Sequence, residues 1–345
     1  MKQSIRNIGP VLSVVLLILA RPTLARSITD MIGRTVEVPD QITKIYGTTP
    51  PATSLVYAVS PERLACLNMP MRGAGKKYLN PAVLKLPVAG GWFGQGQTPN
   101  MESLLSAHPD LVLVWQPGIV MKNTDVENAL KPLNIPLVFV ALDRVEDYPK
   151  ALRFMGELLG EQTRTEALAQ YAEKTLADMN EVRTAVPEKD RVTVYYAEDD
   201  DGLSTECHES IHAQLIPLCG AVNVHKGVVR TRQGLDKISM EQVLLYNPQV
   251  IVTHSAACYK GLFTDKRWEG IRAVRDKRVY RIPTEPMNWF DRPPSFMRLI
   301  GARWLAHTLY PEVYPLNMDE EVQEFFALFL GCTLTQDDLR EILGP

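Results

Sequence analysis

The sequence predicts an α/β protein in which two similar three-layer lobes are joined by a single long helical spine and enclose a cleft between them. Three observations predict this class. Apolar runs alternate with helical segments in both halves of the chain, which favours α/β layers over an all-β sandwich. Residues 148–186 carry apolar side chains at spacings of three and four, without an intervening strand. Residues 100–115 align without a gap to residues 239–254.

The first lobe is expected over residues 26–147. Residues 42–46 form a short apolar run that ends at a Gly-Thr-Thr-Pro-Pro turn, and a helical pattern follows. The helix predicted at residues 101–107 is broken by His-Pro-Asp. The apolar run at residues 111–115 then indicates a strand that is buried on both faces of a parallel sheet. A helix and a strand of the same kind complete the lobe at residues 128–140.

The spine is expected over residues 148–186 as one or two consecutive helices, of which the second is long. After Pro187 the alternation resumes, and the second lobe is expected over residues 187–345. Short apolar runs predict its strands at residues 192–196, 250–253 and 279–282. Helical spacing predicts that residues 296–309 and 319–330 form helices.

The internal repeat relates the two lobes. Four pairs of positions are identical in the two copies: Met101 and Met240, Glu102 and Glu241, Leu105 and Leu244, and Pro109 and Pro248. Each copy begins with a residue suited to capping a helix, Asn100 or Ser239, then breaks at proline and enters an apolar strand. Such a module is common in α/β proteins. With a helical segment midway between the copies, however, two similar lobes are the better interpretation.

The amino terminus has the form of a secretory signal peptide at residues 1–25. Lys2 and Arg6 precede an apolar run at residues 11–20, and Thr23 and Ala25 are small residues at a suitable cleavage site. The run is about half the length that spans a bilayer, although an uncleaved anchor is the alternative. We therefore expect export to the periplasm, with cleavage near Ala25. The formal net charge of −3 argues against nucleic-acid binding.

Enzyme motifs are missing from the sequence. It has no GxSxG elbow, no GxxxxGK[ST] phosphate loop and no HExxH zinc helix, so we expect no enzyme and no intrinsic cofactor. His208 and His212 stand four residues apart beside Cys207, a spacing that would place both imidazoles on one helix face for a metal. The alternative is a helix start whose histidines make ordinary hydrogen bonds. The cysteines leave open one disulfide among Cys207, Cys219 and Cys258.

Three loops combine aromatic with flexible residues where strands should end, at residues 90–97, 202–207 and 287–294. Exposing adjacent Trp and Phe side chains to water in such loops is costly unless they cover another group. Open α/β sheets bind ligands beyond the carboxyl ends of their strands. The alternative is that each loop packs its aromatic side chains on its own domain. The candidate ligand-binding residues are Thr48, Trp92, Phe93, Gln95, Cys207, His208, His212, Asn288, Trp289, Phe290 and Arg292.

The chain resembles the substrate-binding proteins of bacterial ABC importers, in the group that handles iron-siderophores, haem, cobalamin and related metal complexes. The segments that carry the resemblance are residues 30–39, 100–112, 220–224 and 277–283. The resemblance covers the whole mature chain, and it implies two α/β lobes bridged by a long helix, with the solute held between them.

The resemblance also implies partners and a role for the repeat. Members of this group place one acidic residue on each lobe to meet arginines of a dimeric inner-membrane permease, and Glu102 and Glu241 are the matching positions. The expected protein is a monomeric receptor whose ligand is a metal complex: an iron-siderophore, haem or a corrinoid. A receptor for bare or chelated nickel or cobalt, with His208 and His212 as ligands, is one alternative. An exported hydrolase that uses the cleft is another.

Overall fold

A computed structural model describes residues 25–93, 97–115, 124–229 and 234–344. The predicted signal peptide lies outside these ranges, except for its last residue, Ala25. Within them, every helix is too short or too polar to cross a membrane.

The first lobe is built on a parallel sheet. Its elements are β1 (Ala25–Thr29), β2 (Thr35–Pro39), β3 (Ile45–Gly47), α1 (Pro50–Val59), α2 (Met101–Ser106), β4 (Leu111–Trp115), α3 (Thr124–Leu130) and β5 (Leu137–Val140). The sheet has the order β3-β4-β5, with Ile45 opposite Leu111 and Val112 opposite Leu137. β1 and β2 form a separate antiparallel hairpin. All three strands of the sheet therefore end at the same edge.

Two helices lead from the first lobe to the second: α4 (Tyr148–Leu159) and α5 (Gln162–Ala185). Pro149 stands in the first turn of α4, where its missing N–H costs nothing, and Gly160 ends that helix with a φ of 74°. α5 has 24 residues and is therefore about 36 Å long. Its buried face includes Leu168, Tyr171 and Met179.

The second lobe repeats the design of the first. Its elements are β6 (Thr193–Tyr196), β7 (Ser204–Thr205), α6 (Leu215–Leu218), β8 (Val222–Asn223), β9 (Asp236–Lys237), α7 (Met240–Tyr246), β10 (Val250–Thr253), α8 (Ala256–Thr264), α9 (Arg272–Arg275) and β11 (Val279–Arg281). The main sheet is parallel, with the order β11-β10-β6-β8, and β7 pairs with β9 in a small antiparallel ribbon.

The sequence repeat is also a structural repeat. α2 with β4, and α7 with β10, both form a short helix, a break and a strand of a parallel sheet. Asn100 and Ser239 cap the two helices through their side chains. Before the two prolines, His108 and Asn247 both turn the chain through a positive φ, of 49° and 40°. The two-lobed α/β class predicted from this repeat is confirmed.

The carboxy-terminal helices, α10 (Arg298–Leu309), α11 (Met318–Phe325) and α12 (Gln336–Leu343), pack against both lobes. Phe296, just before α10, stacks on Tyr57 of α1 with ring centroids 6.3 Å apart. Phe326 meets the ring of Tyr78 at 5.6 Å, and the ammonium of Lys77 lies 2.8 Å from the Asp338 carboxylate. One continuous core thus runs through both lobes and the spine, which favours a modest closure over a wide hinge motion.

Candidate functional site

The candidate site lies where the parallel strands of both lobes end. Thr48 follows β3 and Asp143 follows β5 in the first lobe, while Glu198 follows β6 and His254 follows β10 in the second. The side-chain amide of Gln214 crosses between the lobes and donates to the backbone oxygen of Asp143 at 2.8 Å. This bond holds the loop after β5 against the start of α6 in the second lobe, beside the strand ends beyond which open α/β sheets bind ligands.

The first-lobe face of the site is made of backbone, hydroxyls and one indole. The N–H of Trp92 donates to the oxygen of Thr48 at 2.9 Å, and the Asn68 amide donates to the oxygens of residues 47 and 90. Gly91 must be glycine, since an added Cβ would lie 2.5 Å from the Thr48 oxygen. Among the described residues, the hydroxyls of Thr48 and Thr49 have no hydrogen-bond partner, and both are buried. This face therefore offers a solute the half-buried side chains of residues 92 and 93.

The second-lobe face carries a charge cluster, which we define as Arg292, Glu198, Glu206, Asp291 and His212. The guanidinium of Arg292 is hydrogen-bonded to both glutamates and lies 3.6 Å from the Asp291 carboxylate. The Nδ1 of His212 lies 2.6 Å from Asp291. Arg292 keeps about a fifth of its side chain exposed, whereas the three carboxylates are almost fully buried. The cluster therefore has more carboxylates than cationic groups.

Burial sets the protonation of the groups in and around this cluster. It raises the pKa of Glu198 to about 7, although the Arg292 guanidinium acts in the opposite direction. For Arg292, burial lowers the pKa, but the hydrogen bond and charge of Glu198 outweigh this effect and raise it overall. Burial and the nearby Arg292 charge lower the pKa of His254, whose Nδ1 lies 3.3 Å from the Tyr196 hydroxyl. His254 is therefore neutral at pH 7, and Glu198 titrates near that pH.

Trp289 and Phe290, which we expected to form walls of the site, belong to the central core instead. Trp289 is 0% exposed, and its indole donates to the backbone oxygen of Glu285 at 2.8 Å. Phe290 is 1% exposed and lies 4.8 Å from the Tyr196 ring. In this conformation Trp92 and Trp289 are therefore not facing walls. Asn288 is also buried, and its side-chain oxygen accepts from the N–H groups of residues 290 and 291.

The expected helix face with two histidines is not formed. His208 lies in an exposed turn, while His212 lies in a 3₁₀ turn that the Ser210 side chain caps. His212 is held by Asp291, and Cys207 is buried, which raises the pKa of its thiol. In the part of the chain that the structure describes, no group of three or more His, Cys, Asp or Glu side chains is arranged to hold a metal ion, and all five cysteines are unbridged.

The remaining predicted residues are placed as follows. Gln95 lies outside the described residues. Glu102 and Glu241 are exposed, each in the first turn of its helix. A hydrogen bond within its own helix turn lowers the pKa of Glu241, and the Ser239 hydroxyl adds to this effect. Both glutamates can therefore meet a cation on another molecule.

A hollow of about 520 Å³ lies away from the strand ends. It is lined by the end of α1, the start of α5 and residues 329–332, with Lys77 and Arg164 among its polar groups. Because no strand of either sheet ends there, it is the weaker candidate for a solute site.

Sequence reasoning missed four members of the second-lobe site: Glu198, Glu206, Asp291 and His254. A signal for two of them was available, because Glu198 and His254 follow predicted strands within two residues. The search for aromatic residues in loops did not select these two positions. Asp291 stood in a loop that was singled out, but its partner His212 is 79 residues away in the chain.

Comparison with known proteins supports the two-lobed α/β fold. A family profile described as "Periplasmic binding protein" matches residues 81–286. The chain is similar to the solved structure of an ABC transporter solute binding protein from Sulfurospirillum deleyianum, with a TM-score of 0.87 and 37% sequence identity. This match covers 93% of the present chain and 99% of the other.

Two curated relatives have named solutes. The chain is 25% identical to the molybdate-binding protein MolA of Haemophilus influenzae, over 91% of this chain and 93% of that protein. It is 26% identical to the vitamin B12-binding protein of Salmonella typhi, over 66% of this chain and 78% of that protein.

Proposed function

This chain belongs to the periplasmic binding protein family of ABC importers, whose members bind solutes and are not enzymes, and from that premise we propose that it is the periplasmic receptor for a metal complex. The solute would be an iron-siderophore, haem or a corrinoid, which is held between the lobes and delivered to an inner-membrane permease. The protein itself performs no covalent chemistry.

The observation that carries this proposal is the charge cluster of the second lobe. Its guanidinium already holds two carboxylates, and a third carboxylate lies 3.6 Å from it. A small free oxyanion would meet these carboxylates and gain little from Arg292. A larger complex can contact the exposed part of the Arg292 side chain through an oxygen of its ligand shell and gain the rest of its binding energy from other surfaces of the site.

The aromatic surface of the site and the core shared by the two lobes support the same class of solute. Trp92 and Phe93 are half-buried at the first-lobe face, so that aromatic surface is available to cover a large ligand. The shared core through both lobes limits how far the lobes can close on a small ion. A receptor for bare nickel or cobalt is not favoured, because His208 and His212 do not share a face and His212 is held by Asp291.

The experiment is a thermal-shift and native mass-spectrometry panel with ferric siderophores, haem, cobalamin, nickel-histidine and molybdate. A solute present at 100 times its Kd should stabilise the protein by about 2.7 kcal/mol and raise Tm by several degrees. Arg292→Met should abolish that shift, whereas Val313→Ser, an exposed position outside the site, should keep it. A shift with molybdate alone would refute the metal-complex class, and no shift with any solute would count against the receptor itself.

We propose that the receptor docks on the permease through Glu102 and Glu241. Both are exposed and occupy the same position in the two copies of the repeat, so a dimeric permease could place one cation against each. Glu102→Ala combined with Glu241→Ala should leave the solute-induced Tm shift unchanged and strongly reduce uptake of the solute. Loss of solute binding in this variant would contradict the assignment.

The location proposed is the periplasm, with residues 1–25 removed as a signal peptide. Sequencing the amino terminus of protein from a periplasmic fraction should give a start near Arg26. Light scattering of the same sample should give the mass of a monomer, and a full-length chain in the membrane fraction would contradict this proposal.

A further inference from the structure

The two repeated helices share a second feature besides their glutamates: an exposed leucine one turn later. Leu105 of α2 is 44% exposed and Leu244 of α7 is 45% exposed. These are equivalent positions of the repeat. Residues three apart on a helix lie on the same face, so each leucine stands beside the glutamate of its own helix. Each lobe therefore presents a carboxylate with an apolar side chain next to it.

The second lobe adds a third leucine. Leu245 is 79% exposed, and the equivalent residue of the first lobe is Ser106. Single exposed apolar residues are ordinary on protein surfaces. The present case differs, because the exposure recurs at the same repeat position on both lobes and is extended on one of them.

Resting on the proposed receptor function, we propose that Leu105 on one lobe, and Leu244 with Leu245 on the other, are apolar anchors for the permease dimer. Each anchor enters an apolar pocket that lies beside a cationic side chain of the permease. The glutamates supply orientation and attraction over distance, and the leucines supply most of the contact energy. Because of the extra leucine, the contact of the second lobe is the stronger of the two.

Charge complementarity favours a permease over a second copy of this chain as the occupant. In a two-fold contact between copies, the same surface meets itself, so glutamate would face glutamate at each helix. A permease with two equivalent halves instead offers one cationic and apolar site to each lobe. The anchors of both lobes can then bind at the same time, and each of the two weak contacts strengthens the other.

The test uses right-side-out inner-membrane vesicles of the source bacterium and the full-length receptor with a fluorescent label. Leu244→Ser combined with Leu245→Ser should weaken vesicle binding tenfold or more, and Leu105→Ser should weaken it less. Val313→Ser, which removes a side chain that is 42% exposed outside both helices, is the matched control and should bind like the wild type. Unchanged melting temperatures in all variants would show that folding is not the cause.

A photo-crosslinking amino acid in place of Leu105 or Leu244 identifies the occupant in the same vesicles. Crosslinks from both positions to an ABC permease subunit support the proposal. If the leucine variants bound the vesicles as tightly as the wild type, or if the crosslinks led to a second copy of the receptor, the proposal would be overturned. The receptor function would be unaffected by either result. A wild-type protein that binds no vesicles would overturn the receptor function, and this proposal with it.

Discussion

Glu198 makes the stability of the protein depend on pH in a direction opposite to that of an ordinary carboxylate. Burial raises its pKa from 4.5 to about 7 in the folded state. Between these two values the folded protein holds a proton that the unfolded chain releases. The stabilisation is therefore complete below pH 4.5 and is lost as the pH rises through 7. At pH 8 the folded state carries a buried carboxylate at a cost of about 3 kcal/mol relative to the protonated form.

Glu198→Gln removes this titration and keeps an oxygen that can accept from Arg292. The difference in unfolding free energy between the variant and the wild type should shift in favour of the variant by about 2.5 kcal/mol from pH 5 to pH 8. Urea unfolding at pH 5, 6, 7 and 8 measures this difference, and other titrating groups cancel between the two proteins.

Asp338→Asn is the control, because the pKa of Asp338 is shifted in the opposite direction to that of Glu198. Hydrogen bonds from Lys77 and Thr335 hold the pKa of Asp338 well below its usual range, so its contribution is lost only in strong acid. The control difference should stay flat from pH 5 to pH 8. If the difference in unfolding free energy between Glu198→Gln and the wild type were equally independent of pH, the raised pKa of Glu198 would be refuted.

Two further predictions concern residues in tightly packed positions. Trp289→Ala should cost about 3–5 kcal/mol of unfolding free energy in urea, because it empties a fully buried indole site, whereas Trp92→Ala should cost much less and instead weaken solute binding. If the two variants lost the same unfolding free energy, Trp289 would not be the packing residue and Trp92 would not be the binding residue. Gly234→Ala should destabilise the protein by about 1–3 kcal/mol, since φ is +63° there and the added Cβ would overlap the Glu206 carboxylate. Thermal melting measures this, and an unchanged Tm would contradict the tight fit.

The features that the sequence predicts correctly are local. The break between helix and strand in each repeat copy depends on a cap, a proline and an apolar run, all within 16 residues. The helices at residues 148–185 follow from regular apolar spacing and from Gly160. Such signals need no knowledge of the rest of the chain, and they were enough to establish the two-lobed class.

The features that it missed depend on contacts between distant segments. Whether Trp289 covers a ligand or fills a core is decided by α10, whose Gly301 lets the two backbones approach closely. The pairing of His212 with Asp291 likewise joins two loops that are far apart in sequence. An aromatic residue in a loop has the same sequence signature in both settings, so the pattern alone could not separate them.

The proposed function requires a metal complex to be held between the strand-end edges of the two lobes. The most direct measurement is a crystal structure of the protein purified from its native periplasm, with metal analysis of the same sample. We expect a metal-containing solute that contacts Trp92 on one lobe and the exposed part of Arg292 on the other. A solute in the hollow lined by Lys77 and Arg164, or a cleft that holds only a free oxyanion, would contradict it.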